Sequence, residues 1–489
     1  MTDFDRRDVL RALTALGVTG VTASLFGGTA EAAGPSPAEA GGASPLDLKF
    51  AVTEQFRPFD LIAPKFVQLD SPARPGALVK TGIRPKAPYG AVTVQVLDDR
   101  APVVAGLAGD GVSVLGTYDP AAGQAAIEIT TTAGGTAVVK TAPAQLRAPF
   151  GFAVVVNENA VTVLADRGTG WQPLLTERDQ VRARIDLRDP AVLGRLGYAY
   201  GSRGPARLGR VRAGYFGQAG VRDPHVVQHA DGRPVIRHGK LYLTMTNAGL
   251  GFFQQAHWGV WTLDLADPTK LEQVAALFFA RDGVVLGDHA GQIVCDGDRF
   301  ILLMSSWGDF SFNGVHVRHT VTHADVLSGV HVLPTQQLPL PTTVSSWDPA
   351  LTKIDGRWHI AFVESPAQQP AFVFHPALAA APRGADYDEG LTLLGADRSV
   401  TQTEGTILQR VGGRWYLFAS DGNAREYPVY DLSLRKLGTL NAPYGTNIPH
   451  PMLVKIGHRW WLPTFNGTQY AEDVLGYGGH GDFILMQSS

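Results

Sequence analysis

The chain has 489 residues, with 42 Lys and Arg against 45 Asp and Glu and a formal net charge of −3. A nearly neutral chain has no cationic surface to offer nucleic acid or an anionic membrane, so neither is expected as a partner. Only 18% of residues are charged, glycine and proline number 56 and 32, and long amphipathic helical patterns are scarce, all of which points to an all-β chain rich in turns. The single cysteine, Cys295, excludes an internal disulfide framework and reads as a buried strand residue in Gln292-Ile293-Val294-Cys295.

At the N-terminus, Asp5-Arg6-Arg7-Asp8-Val9-Leu10-Arg11 precedes an apolar run from Ala12 to Phe26 and the small-residue sequence Ala30-Glu31-Ala32. A charged start, an apolar middle and a small-x-small end read as a signal peptide over residues 1–32. The paired arginines, with a hydrophobic residue two positions on, resemble the twin-arginine export signal. The expectation is an exported protein, extracellular or in the periplasm and cell envelope, and a fold without disulfides needs no oxidative step after export. No later segment is long and apolar enough to span a bilayer, so no stable membrane insertion is expected after signal removal. Residues 33–45 are rich in Ala, Gly, Pro and Ser and read as a linker.

Residues 46–218 carry short alternating runs such as Ala91-Val92-Thr93-Val94-Gln95-Val96 and Ala126-Ile127-Glu128-Ile129-Thr130, separated by turns such as Asn157-Glu158-Asn159. Period-two alternation predicts half-buried antiparallel strands, and a β-sandwich is the expected architecture. The stretch from Gly111 to Phe216 weakly resembles the laminin-G or concanavalin-like sandwich. Such modules bind sugars or brace a catalytic domain, and both roles stay open here.

From residue 219 onward an internal repeat appears. Five segments share a turn, a basic residue and an aromatic-rich strand: Gly239-Lys240-Leu241-Tyr242, Asp298-Arg299-Phe300-Ile301, Gly356-Arg357-Trp358-His359, Gly413-Arg414-Trp415-Tyr416 and His458-Arg459-Trp460-Trp461. Counted between Leu241, Phe300, Trp358, Trp415 and Trp460, the steps are 59, 58, 57 and 45 residues. Repeats of this length predict the blades of a five-bladed β-propeller over 219–489. About ten residues before each basic residue, a polar residue introduces an apolar strand: His289, Asp348, Glu404 and His450, with Asp223 as the counterpart in the first segment. If these strands line a propeller channel, Asp223, His289, Asp348, Glu404 and His450 converge on one funnel. Three carboxylates at one mouth push their pKa values apart and leave one protonated near neutral pH. That is what glycosidic cleavage asks for, since it needs both a proton donor and an ionised carboxylate.

The order Asp, Asp, Glu at the starts of segments one, three and four is similar to glycoside hydrolase family 43 and its neighbouring five-bladed clans. It is carried by Arg222-Asp223-Pro224, Trp347-Asp348-Pro349 and Thr403-Glu404-Gly405, spaced by 125 and 56 residues. The resemblance covers residues 219–489. It implies Asp223 as general base, Glu404 as general acid, Asp348 as the residue that tunes the acid, and inversion at the anomeric carbon. The implied substrate is a polysaccharide or oligosaccharide with furanoside or pentoside linkages, of arabinan or xylan type. No cofactor is required, and His450 falls where such enzymes place a histidine near a structural calcium or a water.

Around the acids, Trp258, Trp307, Trp347 and Tyr444 are read as stacking platforms for sugar rings. His289 and Arg222 are read as substrate contacts, although Arg222, like Arg425, is equally suited to bracing an acid. Asp288 is either a turn residue or a contact at the rim. Two departures from the family stand out: the sandwich precedes the propeller, and the second segment offers Gly287-Asp288-His289 in place of the usual motif. A polysaccharide lyase on a propeller scaffold, with His289, His450 or Arg222 in its chemistry, and a noncatalytic sugar-binding propeller are the competing functions.

Overall fold

The computed structural model describes residues 44–74, 76–310, 314–467 and 481–488. The expected signal peptide and all of the linker up to residue 43 lie outside the described residues. The described chain is all-β, with short helices only at Asp179–Arg184 and Pro190–Leu193 besides three 3-10 turns. No helix among these residues is long and apolar enough to cross a membrane.

Two six-stranded sheets come first. One is built on strands Phe150–Asn157, Tyr89–Asp98 and Arg207–Gln218 at its centre, the other on Val103–Ala108, Ser113–Asp119 and Gln124–Thr131. Their alternation explains the packing. Val92, Val94 and Val96, with Phe152, Val154 and Val156, point into a core shared with Val103, Val114 and Ile127 of the facing sheet. The intervening residues Tyr89, Ala91, Ala153 and Val155 point the other way and are also buried, against Ala276, Phe278 and Val285. A sheet covered on both faces reads as a continuous apolar run, as Ala153-Val154-Val155-Val156 does.

Five further sheets follow in a propeller-like succession. The basic residue of each sequence repeat opens the second strand of one sheet: Lys240–Asn247, Arg299–Ser305, Arg357–Ala367, Arg414–Asp421 and Arg459–Asn466. Tight turns precede three of them, with positive φ at both central residues, as at Asp355 (50°) and Gly356 (75°). This is the turn geometry that matches the right-handed twist of a two-stranded hairpin.

The chain departs from the expected division in one place. Strand Phe50–Phe56 pairs antiparallel with Asp482–Ser488, with Phe50 opposite Ser488 and Phe56 opposite Phe483. It is therefore the outer strand of the fifth sheet and not part of the 46–218 unit. Among the described residues, the fifth sheet draws Val454–Ile456, Arg459–Asn466 and Asp482–Ser488 from its own region. The N-terminal strand covers what would otherwise be an open row of backbone donors and acceptors.

Candidate active site

Each of the first four C-terminal sheets begins with a strand that carries the same irregularity. Arg222 opposes Thr246 and His225 opposes Thr244, so three steps on one strand match two on the other. The same one-residue bulge lies between His289 and Gln292, between Trp347 and Ala350, and between Glu404 and Ile407. The residue after the first of each pair takes a left-handed conformation: Asp223 (φ 51°), Ala290 (51°), Asp348 (49°) and Gly405 (69°). Aspartate tolerates this region better than most side chains, and bulges re-aim side chains at functional sites. Gly405 is required for a second reason, because a side chain there would collide with the His450 ring.

This register corrects the sequence alignment of the repeat. Asp223 and Asp348 occupy equivalent positions, but their counterparts in the second and fourth sheets are Ala290 and Gly405. Glu404 and His289 sit one residue earlier, in line with Arg222 and Trp347. His450 precedes the short strand Val454–Ile456 and belongs to no bulge.

The three acids nevertheless meet. His450 Nε2 lies 3.3 Å from Asp348 Oδ2 and 3.6 Å from Asp223 Oδ1. Asp223 also accepts a hydrogen bond from the Thr246 hydroxyl at 2.7 Å and has the Arg222 guanidinium at 3.7 Å. Asp348 Oδ2 accepts the Gly405 N–H at 2.9 Å. Glu404 Oε2 accepts the Trp347 indole N–H at 3.1 Å. Asp223 and Asp348 are buried, whereas Glu404 is partly exposed.

Their electrostatics differ in sign. Burial works to raise the Asp223 carboxyl, but Arg222, His450 and the Thr246 bond outweigh it and hold the group below its ordinary value. Burial lifts Glu404 to about 7, with the Asp223 charge adding and Arg222 and the Trp347 bond opposing. Burial, Glu404 and Asp223 together push Asp348 well up. Asp348 and Glu404 repel each other, so the proton held near neutral pH belongs to the pair. Burial brings His450 and His289 down to about 4. His450 is thus a neutral imidazole near pH 7 and faces the acids as a dipole, not as an ion-pair partner. Beneath the acids, Asp223, His225, Gly291, Asp348, Thr406 and His450 line a cavity of about 10 Å³, at the lower limit of the room one water needs. A larger cleft of about 600 Å³, lined by Lys65, Gln68, Tyr215 and Tyr242 among others, contains no carboxylate or imidazole.

The remaining candidates divide. Trp307 and Trp347 lie in an aromatic cluster with Phe253, Phe310, Phe372 and Phe374; Trp307 is 5.3 Å from Trp347 and 5.1 Å from Phe253, centroid to centroid. Trp347 is fully buried, so it serves Glu404 through its N–H and is not an open platform. His289 stacks on Trp307 and its Nε2 lies 3.1 Å from the Phe253 carbonyl. Arg222 lies over the Phe465 ring at 4.6 Å and beside Asp223, which makes it a brace. Tyr444 is half-buried, with its hydroxyl 2.9 Å from that of Ser420 and the exposed Arg425 over its ring.

Two residues are displaced from the site. Trp258 is wholly buried in the core of the first C-terminal sheet beside Phe279, because its strand alternation turns it away from the funnel. Asp288 is equally buried and is ion-paired with Arg281, while its Oδ1 accepts the Gly308 N–H at 3.0 Å, so it is neither a rim contact nor a simple turn residue. Among the described residues no group of three or more His, Cys, Asp or Glu is placed to hold a metal ion, and His450 Nε2 is turned to the carboxylates.

Sequence reasoning missed the aromatic wall. Phe253, Phe310 and Phe372 come from hairpin loops of three different sheets and Phe374 from the start of strand Val373–Ala380, and no spacing in the chain announces that they meet.

No protein-family model matches the chain, and no curated protein matches it. Among solved structures it is similar to a family-43 glycoside hydrolase of Xanthomonas citri solved with xylose, at 15% identity over 55% of this chain and 86% of that one, with a TM-score of 0.38. It is also similar to the α-L-arabinanase of Penicillium chrysogenum solved with arabinobiose, at 12% identity over 70% and 91%, TM-score 0.36. A family-117 glycoside hydrolase of Zobellia galactanivorans is similar at 12% identity over 55% and 84%, TM-score 0.37. The chain thus resembles family-43 and other propeller glycoside hydrolases over a segment of about half its length.

Proposed function

We propose that the protein is an exported, inverting glycoside hydrolase in which a β-sandwich precedes a five-bladed β-propeller. In this reading Glu404 is the general acid, Asp223 the general base, and Asp348 the residue that tunes and orients the acid. The observation that carries it is the opposed protonation of two neighbouring acids: Asp223 held ionised, Glu404 lifted to about 7. Splitting two carboxylates in this way equips one to give a proton to the leaving oxygen while the other activates water. Asp348, pushed up by burial and by the two neighbouring carboxylates against the Gly405 N–H bonded to its Oδ2, shares the proton with Glu404 and so tunes it. Glu404 is also the one acid of the three that is partly exposed, as a donor to a bound substrate must be.

The substrate class, furanoside or pentoside linkages in arabinan- or xylan-type glycans, is carried over from the motif resemblance, as are inversion and export through the twin-arginine route. The test is turnover of arabinan, arabinoxylan and uronate polymers by residues 33–489, with the anomeric form of the released sugar followed by NMR. Inverted free pentose, lost in Glu404→Gln and in Asp223→Asn while both variants stay folded, is the expected result. Near-normal activity in both variants would overturn the site. Unsaturated uronate as the product would make the protein a lyase.

A further inference from the structure

The hairpin Asn157-Glu158-Asn159 joins two strands of the N-terminal sheets, yet all three residues are buried, with Glu158 at 3% exposure and a left-handed φ of 55°. It is pressed against the C-terminal sheets. Asn157 Oδ1 accepts the Leu250 N–H at 3.1 Å, and Glu158 Oε1 accepts the Gly287 N–H at 3.2 Å. A side chain at Gly287 would collide with the Tyr89 hydroxyl and the Ala256 carbonyl, so the two parts meet backbone to side chain with no slack.

Tyr89 is the pivot of this contact. Its hydroxyl lies 2.9 Å from the Gln254 carbonyl, 2.9 Å from the Ala256 carbonyl and 3.1 Å from Glu158 Oε1. A phenol has one proton to give, and the two carbonyls can only accept. An ionised Glu158 would surround that single proton with three acceptors. A Glu158 that keeps its own proton donates to the Tyr89 oxygen instead, and Tyr89 then donates to the loop. The groups facing Glu158 agree with this. The site is buried and Asp288 stands nearby, both of which disfavour the ionised form, while Arg188, which favours it, is itself bonded to Asp186.

The loop so held carries part of the wall around the acids. Residues 249–256 include Phe252 and Phe253; Phe253 packs on Trp307, Trp307 on Trp347, and the Trp347 indole N–H holds Glu404. The Phe253 carbonyl also holds His289. We infer that Glu158, from the N-terminal sheets, is a positioning residue for the substrate wall: as a neutral acid it donates to Tyr89, and Tyr89 clamps the loop on which Phe253 and its aromatic neighbours rest. This rests on the glycosidase reading only in naming what the wall surrounds.

The experiment is backbone hydrogen exchange, read by mass spectrometry, on residues 33–489 of the wild type, Glu158→Ala and Tyr89→Phe, followed by kcat and KM on a glycan that the wild type cleaves. Exchange over 249–256 rises about tenfold or more in Glu158→Ala and Tyr89→Phe, while strand Phe150–Asn157 stays protected. In the kinetics, Glu158→Ala loses up to about 10²-fold in kcat/KM, carried mainly by KM. Unchanged exchange at 249–256 in Tyr89→Phe, or in a folded Glu158→Ala, overturns the inference; Tyr89→Phe removes one oxygen and decides the matter even if Glu158→Ala does not fold. A chain inert on every glycan, with the loop-specific exchange present, supports the clamp and refutes the glycosidase reading. Turnover with an unmoved loop does the reverse.

Discussion

The two halves of the molecule bury different things. The core between the N-terminal sheets is almost wholly aliphatic and aromatic, from Val92 and Val94 to Phe152, Val163 and Leu196. The first strands of the C-terminal sheets bury Arg222, Asp223, His225, His289 and Asp348, and four of those strands are bulged with a left-handed residue at the bulge. Buried charge and non-glycine residues at positive φ are costly and persist only where surrounding structure enforces them. The difference separates where stability comes from and where chemistry is placed, and the Asn157–Asn159 hairpin is the point at which the first supports the second.

The largest effect should come from separating the halves. A chain cut to residues 219–489 loses Phe50–Phe56, leaves Asp482–Ser488 as an open edge, and bares the face around Ala276 and Phe278. It is expected to aggregate, and a soluble, active fragment in a sedimentation and turnover assay would erase the contrast drawn above. Next comes a pair of substitutions with opposite signatures. Glu404→Gln should lower kcat by about 10²- to 10⁴-fold with no loss in melting temperature. Phe152→Ala should cost about 3–5 kcal/mol of stability and leave the turnover of the folded fraction unchanged. If both move activity and stability together, the division is wrong.

The pH dependence sharpens the comparison further. A donor that titrates near 7 must stay protonated, so kcat should fall as pH rises through about 7. The same group should be read in stability: its folded value of about 7 lies above its ordinary 4.5, so across that window the folded chain keeps a proton that the unfolded chain has lost. Stability contributed by this group therefore declines as pH rises from about 4.5 toward 7, and Glu404→Gln should gain on the wild type over that range in thermal melts. The smallest effect is that of Trp347→Phe. Loss of the indole N–H removes a bond that favours the ionised acid, so the alkaline limb should move up by about one pH unit. A limb that stays put would detach Trp347 from the acid.

What could be read along the chain was local. Alternation of apolar and polar residues marked strands in both halves, and the turn-plus-basic repeat marked the second strand of all five C-terminal sheets, because a hairpin's turn and the strand that follows it are contiguous in sequence. The same periodicity brought Asp223, Asp348 and Glu404 forward as a group. Tertiary structure alone decided the rest. Phe50 pairs with Ser488, and no local pattern names a partner so remote. Cross-strand pairing, with the bulge at the same place in all four strands, puts Glu404 and His289 in line with Arg222 and Trp347 and not with Asp223 and Asp348. Trp258 and Asp288 look like site residues in a list of letters, yet the way their strands and loops pack sends them into the interior. Glu158 looked like a turn residue and became a buried contact between the halves, since burial depends on what else arrives to cover a group and not on the group itself.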